Sequence, residues 1–122
     1  IVLLAVVNLG EKTVATVWLF AGKVANEGFK GFFSSRAGDL AFYAPAALRR
    51  IGARKMSELA DKANAVFGAG GPPRDRTERR KLVRAFGKDD LDTLEALESR
   101  FYKCPDDVDA RLDQYLKKIR PE

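Results

Sequence analysis

Histidine is absent from the 122 residues, and cysteine, methionine and tryptophan occur once each. Without an imidazole the chain lacks the commonest general base and metal ligand, and a lone Cys104 excludes an intrachain disulfide framework and a cysteine-rich zinc site. Long apolar runs are missing too: the stretch Ile1 to Val7 is followed by Asn8, Glu11 and Lys12 long before the ~20 residues that a membrane helix needs. No membrane association is expected. No basic segment precedes that stretch and no small-residue cleavage pattern clearly follows, so residues 1–8 read as structured rather than as a signal core. A buried first turn, a short strand or a surface for a missing segment or partner are the open readings. A chain that starts at Ile1 is expected to be an excerpt or a processed product. Its cysteine usage suits a reducing compartment, and a cytoplasmic location is expected.

What is present suffices for one core. Hydrophobic residues make up 46% of the chain, and a domain of this length buries roughly two-thirds of its unfolded surface, so residues 1–122 are expected to form a single domain. The formal net charge is +5, unevenly spread. Residues 1–88 carry 16 Lys and Arg against 7 Asp and Glu, whereas residues 89–122 carry 6 against 10. Such a charge dipole can steer an acidic partner to one end or dock two copies head to tail, and two solvated faces explain it equally well.

The dominant period is helical. Val14, Val17, Trp18, Ala21, Val24 and Ala25 recur at three- and four-residue steps, and Leu19 and Phe20 make the other side apolar, which predicts a largely buried central helix. Gly28 and Gly31 then loosen the backbone, and Phe29, Phe32 and Phe33 take the spacing of three rings on one side of a turn, which is core packing rather than a base-stacking row. A connection with a Gly38-Asp39 turn follows. Pro45 suits the first turn of a helix that Gly52 stops. Met56, Leu59, Ala60, Ala63, Val66 and Phe67 form the cleanest stripe of the chain. Beyond the Gly68–Pro73 loop, Asp75 or Thr77 is expected to cap a helix with Leu82, Val83 and Phe86 inward and Arg76, Arg80, Lys81 and Arg84 mostly outward. Asp89 and Asp90 are the expected caps of a helix burying Leu91, Leu94, Leu97 and Phe101. Asp106 or Asp107 is expected to cap the last one, with Val108, Leu112, Tyr115, Leu116 and Ile119 inward. The expectation is an all-α fold, a single compact orthogonal or antiparallel bundle of about six or seven helices.

Several islands add a family likeness. Asn26, Gly28, Phe29, Phe32 and Phe33, then Gly38-Asp39 with Ala44-Pro45, Ile51-Gly52-Ala53, Gly71-Pro72-Pro73-Arg74-Asp75-Arg76, and Phe101-Tyr102 with Pro105-Asp106 occur in order over residues 9–119. This series resembles the C-terminal-like domain of the DNA-mimic-protein family, a group largely of unknown function. The chain departs from the family pattern at Lys23, where an acid is favoured, at Glu27, where a second glycine is, and at Gly31, where glutamine is. The resemblance implies an acidic surface that imitates DNA, which a chain of pI near 9.5 does not present overall. Only Asp89 to Asp113, with nine acids against three bases, has that character locally.

Three functions are open. The first is a non-enzymatic protein-interaction domain with an unidentified protein partner or a second copy of itself. It would act through Lys23, Asn26, Glu27, Gly28, Ser34, Ser35 and Asp39, or through Asp106, Asp107 and Asp109. The second is a nucleic-acid-binding module in which Arg74, Arg76, Arg80, Lys81 and Arg84, with Arg49, Arg50, Arg54 and Lys55, contact phosphates. The third is an enzyme built from Ser34, Ser35, Asp39, Glu27 or Cys104, which would need a base other than histidine. The first is the expected role, with no catalytic, cofactor or metal residue assigned.

Overall fold

The computed structural model describes the backbone of residues 2–119 and the side chains of residues 9–119. Six α-helices and a 3-10 turn follow one another: α1 (Val2–Ser34), the turn Arg36–Leu40, α2 (Ala44–Arg50), α3 (Arg54–Ala65), α4 (Arg76–Ala85), α5 (Lys88–Lys103) and α6 (Val108–Ile119). No strand occurs among the described residues. α1 is the hub, packing against the 3-10 turn, α2, α4, α5 and α6, while α3 rests on α2 and α5. The apolar stretch at residues 1–8 continues α1 from Val2, and its side chains lie outside the described residues.

The inward face of α1 is Thr13, Thr16, Val17, Phe20 and Val24, all buried, at the spacing that brings side chains onto one side of a helix. Thr13 and Thr16 enter the core because each hydroxyl donates to the carbonyl four residues earlier, of Leu9 and Lys12, and so leaves no unsatisfied polar atom. The expected stripe is thereby corrected. Val17 and Val24 are inside, but Trp18 is 69% exposed and Ala25 is exposed. Because the helix is apolar on two sides, its period alone does not say which side turns inward.

The phenylalanine trio is buried as its spacing predicts. Phe20 meets Phe32 edge-on at 5.2 Å, Phe33 meets Phe67 at 4.7 Å, and Phe67 meets Phe86 at 5.0 Å, a chain of tilted rings through the core.

Helix starts follow local chemistry with two corrections. Asp75 caps α4 by accepting from the Glu78 N–H at 2.9 Å, and Asp107 caps α6 by accepting from Ala110 at 3.0 Å. Asp106 instead reaches back across the fold and accepts from Met56 N–H at 2.9 Å, capping the start of α3. α5 begins after Gly87 with no side-chain cap, so Asp89 and Asp90 sit in its first turn and complement the dipole without capping it. Leu82 also departs from expectation: it is 43% exposed, and Val83 and Phe86 alone carry the apolar side of α4 inward.

Candidate protein-interaction surface

The end of α1 is held by arginines of α4. Arg79 is fully buried, and its guanidinium donates five hydrogen bonds: Nε to Phe33 O at 2.6 Å, Nη1 to the carbonyls of Pro73 and Arg74, and Nη2 to Ser35 O and to Asp39 Oδ1 at 2.8 Å. A buried guanidinium is tolerated because every donor direction has an acceptor. Arg76 forms a two-point pair with Asp39, at 2.6 and 3.2 Å, and Arg80 donates to Ser34 O at 2.7 Å. The hydrogen bond from Arg76 is the largest influence on Asp39. Partial desolvation pushes the other way and Arg79 adds to the lowering, so the carboxyl is held at about 2. Gly38 lets the 3-10 turn approach, since a Cβ there would meet Phe32 O at 2.6 Å and Arg79 Nε at 2.9 Å.

Upstream of this anchor α1 kinks at Gly28, whose φ of 76° and ψ of 178° are open to glycine and strained for other residues. α5 binds the backbone on both sides of the kink: Glu98 Oε1 accepts from Phe29 N–H at 2.8 Å, and Tyr102 Oη donates to Ala25 O at 2.8 Å. Glu98 and Tyr102 lie one turn apart, so a single face of α5 holds the kink. The Glu98 carboxylate lies so near Gly28 that a Cβ would run into it.

The kink and the arginine anchor together shape the surface beside α1. A groove of about 510 Å³ is bordered by Trp18, Lys23, Asn26, Glu27, Ser35 and Arg36. Lys23 and Glu27 pair across its wall at 2.6 Å. On the other side of Trp18 a second groove, of about 360 Å³, is bordered by Phe101, Asp106, Asp107, Asp109 and Leu112. Trp18 and Gly22, one turn apart, belong to both grooves. Two residue sets read separately from the sequence, Lys23-Asn26-Glu27-Ser35 and Asp106-Asp107-Asp109, thus flank one exposed indole.

The other candidates fall elsewhere. Gly28 lies beneath the kink, Ser34 and Asp39 belong to the arginine anchor, and Asp39 does not line the groove that holds Glu27. On α4, Arg76 pairs with Asp39 and the exposed Arg80 donates to Ser34 O, while Lys81 and Arg84 are also exposed; Arg74, ahead of the helix, lies over the Phe42 ring at 4.5 Å. Ser35 Oγ donates to Phe32 O, and Cys104 is half-buried at the end of α5. Among the described residues no group of three or more acids and cysteines is placed to hold a metal ion. The sequence reading missed Arg79, Glu98, Tyr102 and the exposure of Trp18. Arg79 precedes Val83 by four residues and Phe86 by seven, a spacing that would have placed it on the inward face of α4.

The DMP19-like protein family matches residues 7–119. The chain belongs to that family. No curated protein and no solved structure matches it. Within the family frame the shared-looking islands take architectural roles here: Gly28 makes the kink, Gly38-Asp39 meets the buried guanidinium, Pro73 and Arg74 give it two carbonyls, and Tyr102 and Asp106 tie α5 and its following loop to α1 and α3. No helix of the described residues is long and apolar enough to cross a membrane.

Proposed function

We infer that this member of the DMP19-like family is a non-enzymatic protein-interaction domain of the cytoplasm, and that it binds its partner with the ridge formed by Trp18 and Gly22. The single observation that carries the reading is the 69% exposure of the only tryptophan in the chain, between two grooves with polar rims. Tryptophan is among the side chains most enriched at binding hot spots, and an exposed apolar surface rimmed by polar residues marks an interaction site. Partner chemistry follows from the rims. The side of Asp107 and Asp109 suits a basic side chain stacked on the indole, and the Lys23–Glu27 side suits a mixed polar segment. Mimicry of DNA over the whole surface is not part of this reading, because the net charge is +5. Nucleic-acid binding through residues 74–84 is disfavoured, because Arg76 is paired with Asp39, Arg80 donates to Ser34 O and Arg74 lies over an aromatic ring.

The test uses capture by the immobilised full chain and three variants. Gly22→Gln places a side chain between the grooves, where a Cβ meets nothing within 4 Å, and replaces a glycine inside a helix, so the fold is retained. Asp109→Lys reverses an exposed acid that caps nothing. Lys81→Glu/Arg84→Glu is the control on α4. A protein retained by the wild type and the control but lost from Gly22→Gln and Asp109→Lys is the expected result. Retention by all four, or loss only from the control, contradicts the reading.

A further inference from the structure

We propose a second site, for a di- or triphosphate anion, in the groove of about 240 Å³ between the α2–α3 turn and α6. Five cations from three helices line it, Arg49, Arg50, Arg54, Arg111 and Lys118, and no acid among the described residues does. Of the five, Arg49 has a carboxylate partner, Asp61 at 3.3 Å, in a pair more than half exposed on both sides. Helix ends account for part of the cluster: Arg49 and Arg50 lie in the last turn of α2 and Lys118 in the last turn of α6, where a cation complements the carbonyl end of the dipole. Arg54 and Arg111 have no such explanation. Arg54 is the first residue of α3 and Arg111 the fourth of α6, at helix starts where the dipole opposes a positive charge. Both nevertheless border the groove that holds the other three cations.

Repulsion within such a ring falls away when a multiply charged anion occupies its centre. The floor is suited to this. Gly52, at a φ of 85°, leaves the backbone bare, and the Arg111 guanidinium lies against it so closely that a Cβ would meet Nη1 at 3.1 Å. A planar fork held over backbone matches phosphate oxygens in pairs, which the ammonium of Lys118 supplements as a point charge. The small volume and dense charge fit linked phosphates.

Isothermal titration of the full chain with pyrophosphate and with tripolyphosphate, at fixed ionic strength, tests the site beside orthophosphate and mixed-sequence duplex DNA. Saturable one-to-one binding is expected, tighter for tripolyphosphate than for pyrophosphate. It should weaken at least tenfold in Arg54→Gln/Arg111→Gln and stay within twofold in Lys81→Gln/Arg84→Gln. All four positions are exposed, so both variants keep the fold, checked by circular dichroism. Equal weakening in the two variants, or the absence of saturable binding by either anion, overturns the proposal. Binding of the duplex through Arg54 and Arg111 without binding of the small anions overturns it as well.

Discussion

At the residue scale the fold depends on one buried charge. Arg79 satisfies four carbonyls and one carboxylate oxygen with a single side chain, and a lysine has neither the reach in five directions nor the plane. Arg79→Lys is expected to lower unfolding stability by about 3 kcal/mol or more, because carbonyls stay buried without donors, as measured by denaturant titration. Asp39→Asn should cost about 1 kcal/mol at neutral pH, since the carboxylate is one-third exposed and Arg79 keeps its other partners. The pH dependence has a definite sign. Asp39 is depressed to about 2, so its contribution is fully present above the ordinary carboxylate range near ~4 and is lost as pH falls through about 2. Acid titration of stability should therefore show a step between these values in the wild type, diminished in Asp39→Asn. None of this was legible from composition. A basic residue in a basic helix has no signature of burial except its register with Val83 and Phe86.

At the element scale the two halves of α1 are one helix by hydrogen bonding and two by direction, and α5 holds the junction. Gly28→Ala combines a strained φ with a clash at Glu98 and should cost about 2 kcal/mol or more. Tyr102→Phe removes only the bond to Ala25 O on an exposed residue and should cost about 0.5–1 kcal/mol. Thermal unfolding of the two variants separates the contributions. The sequence showed a backbone loosened at Gly28 and Gly31 and core rings around them, from local preference and spacing, whereas the structure departs from helical geometry at Gly28 and not at Gly31. It did not show Glu98 and Tyr102 as partners, because they lie 69 and 77 residues from the groups they satisfy. Asp106 illustrates the same limit: it was legible as a cap but not as the cap of α3, fifty residues away. The α2, α3 and α6 boundaries, by contrast, were readable within a few residues because Pro45, Gly52 and Asp107 act on their own neighbourhoods.

At the scale of the whole molecule, patches that the sequence separates by some eighty residues meet at Trp18, because α6 packs across the middle of α1. The apolar period of α1 placed the indole inside, and only tertiary packing turns it out. Trp18→Ala should change stability by no more than about 0.5 kcal/mol, as expected of an exposed side chain away from caps and core. Since Trp18 is the only tryptophan, its fluorescence reports this surface without labelling. The most direct measurement is its emission and acrylamide quenching in the full chain, alone and with the captured partner. The structure predicts water-like, readily quenched emission in the free protein that shifts to shorter wavelength and becomes shielded on binding; a shielded indole in the free protein, or emission indifferent to the partner, would contradict it.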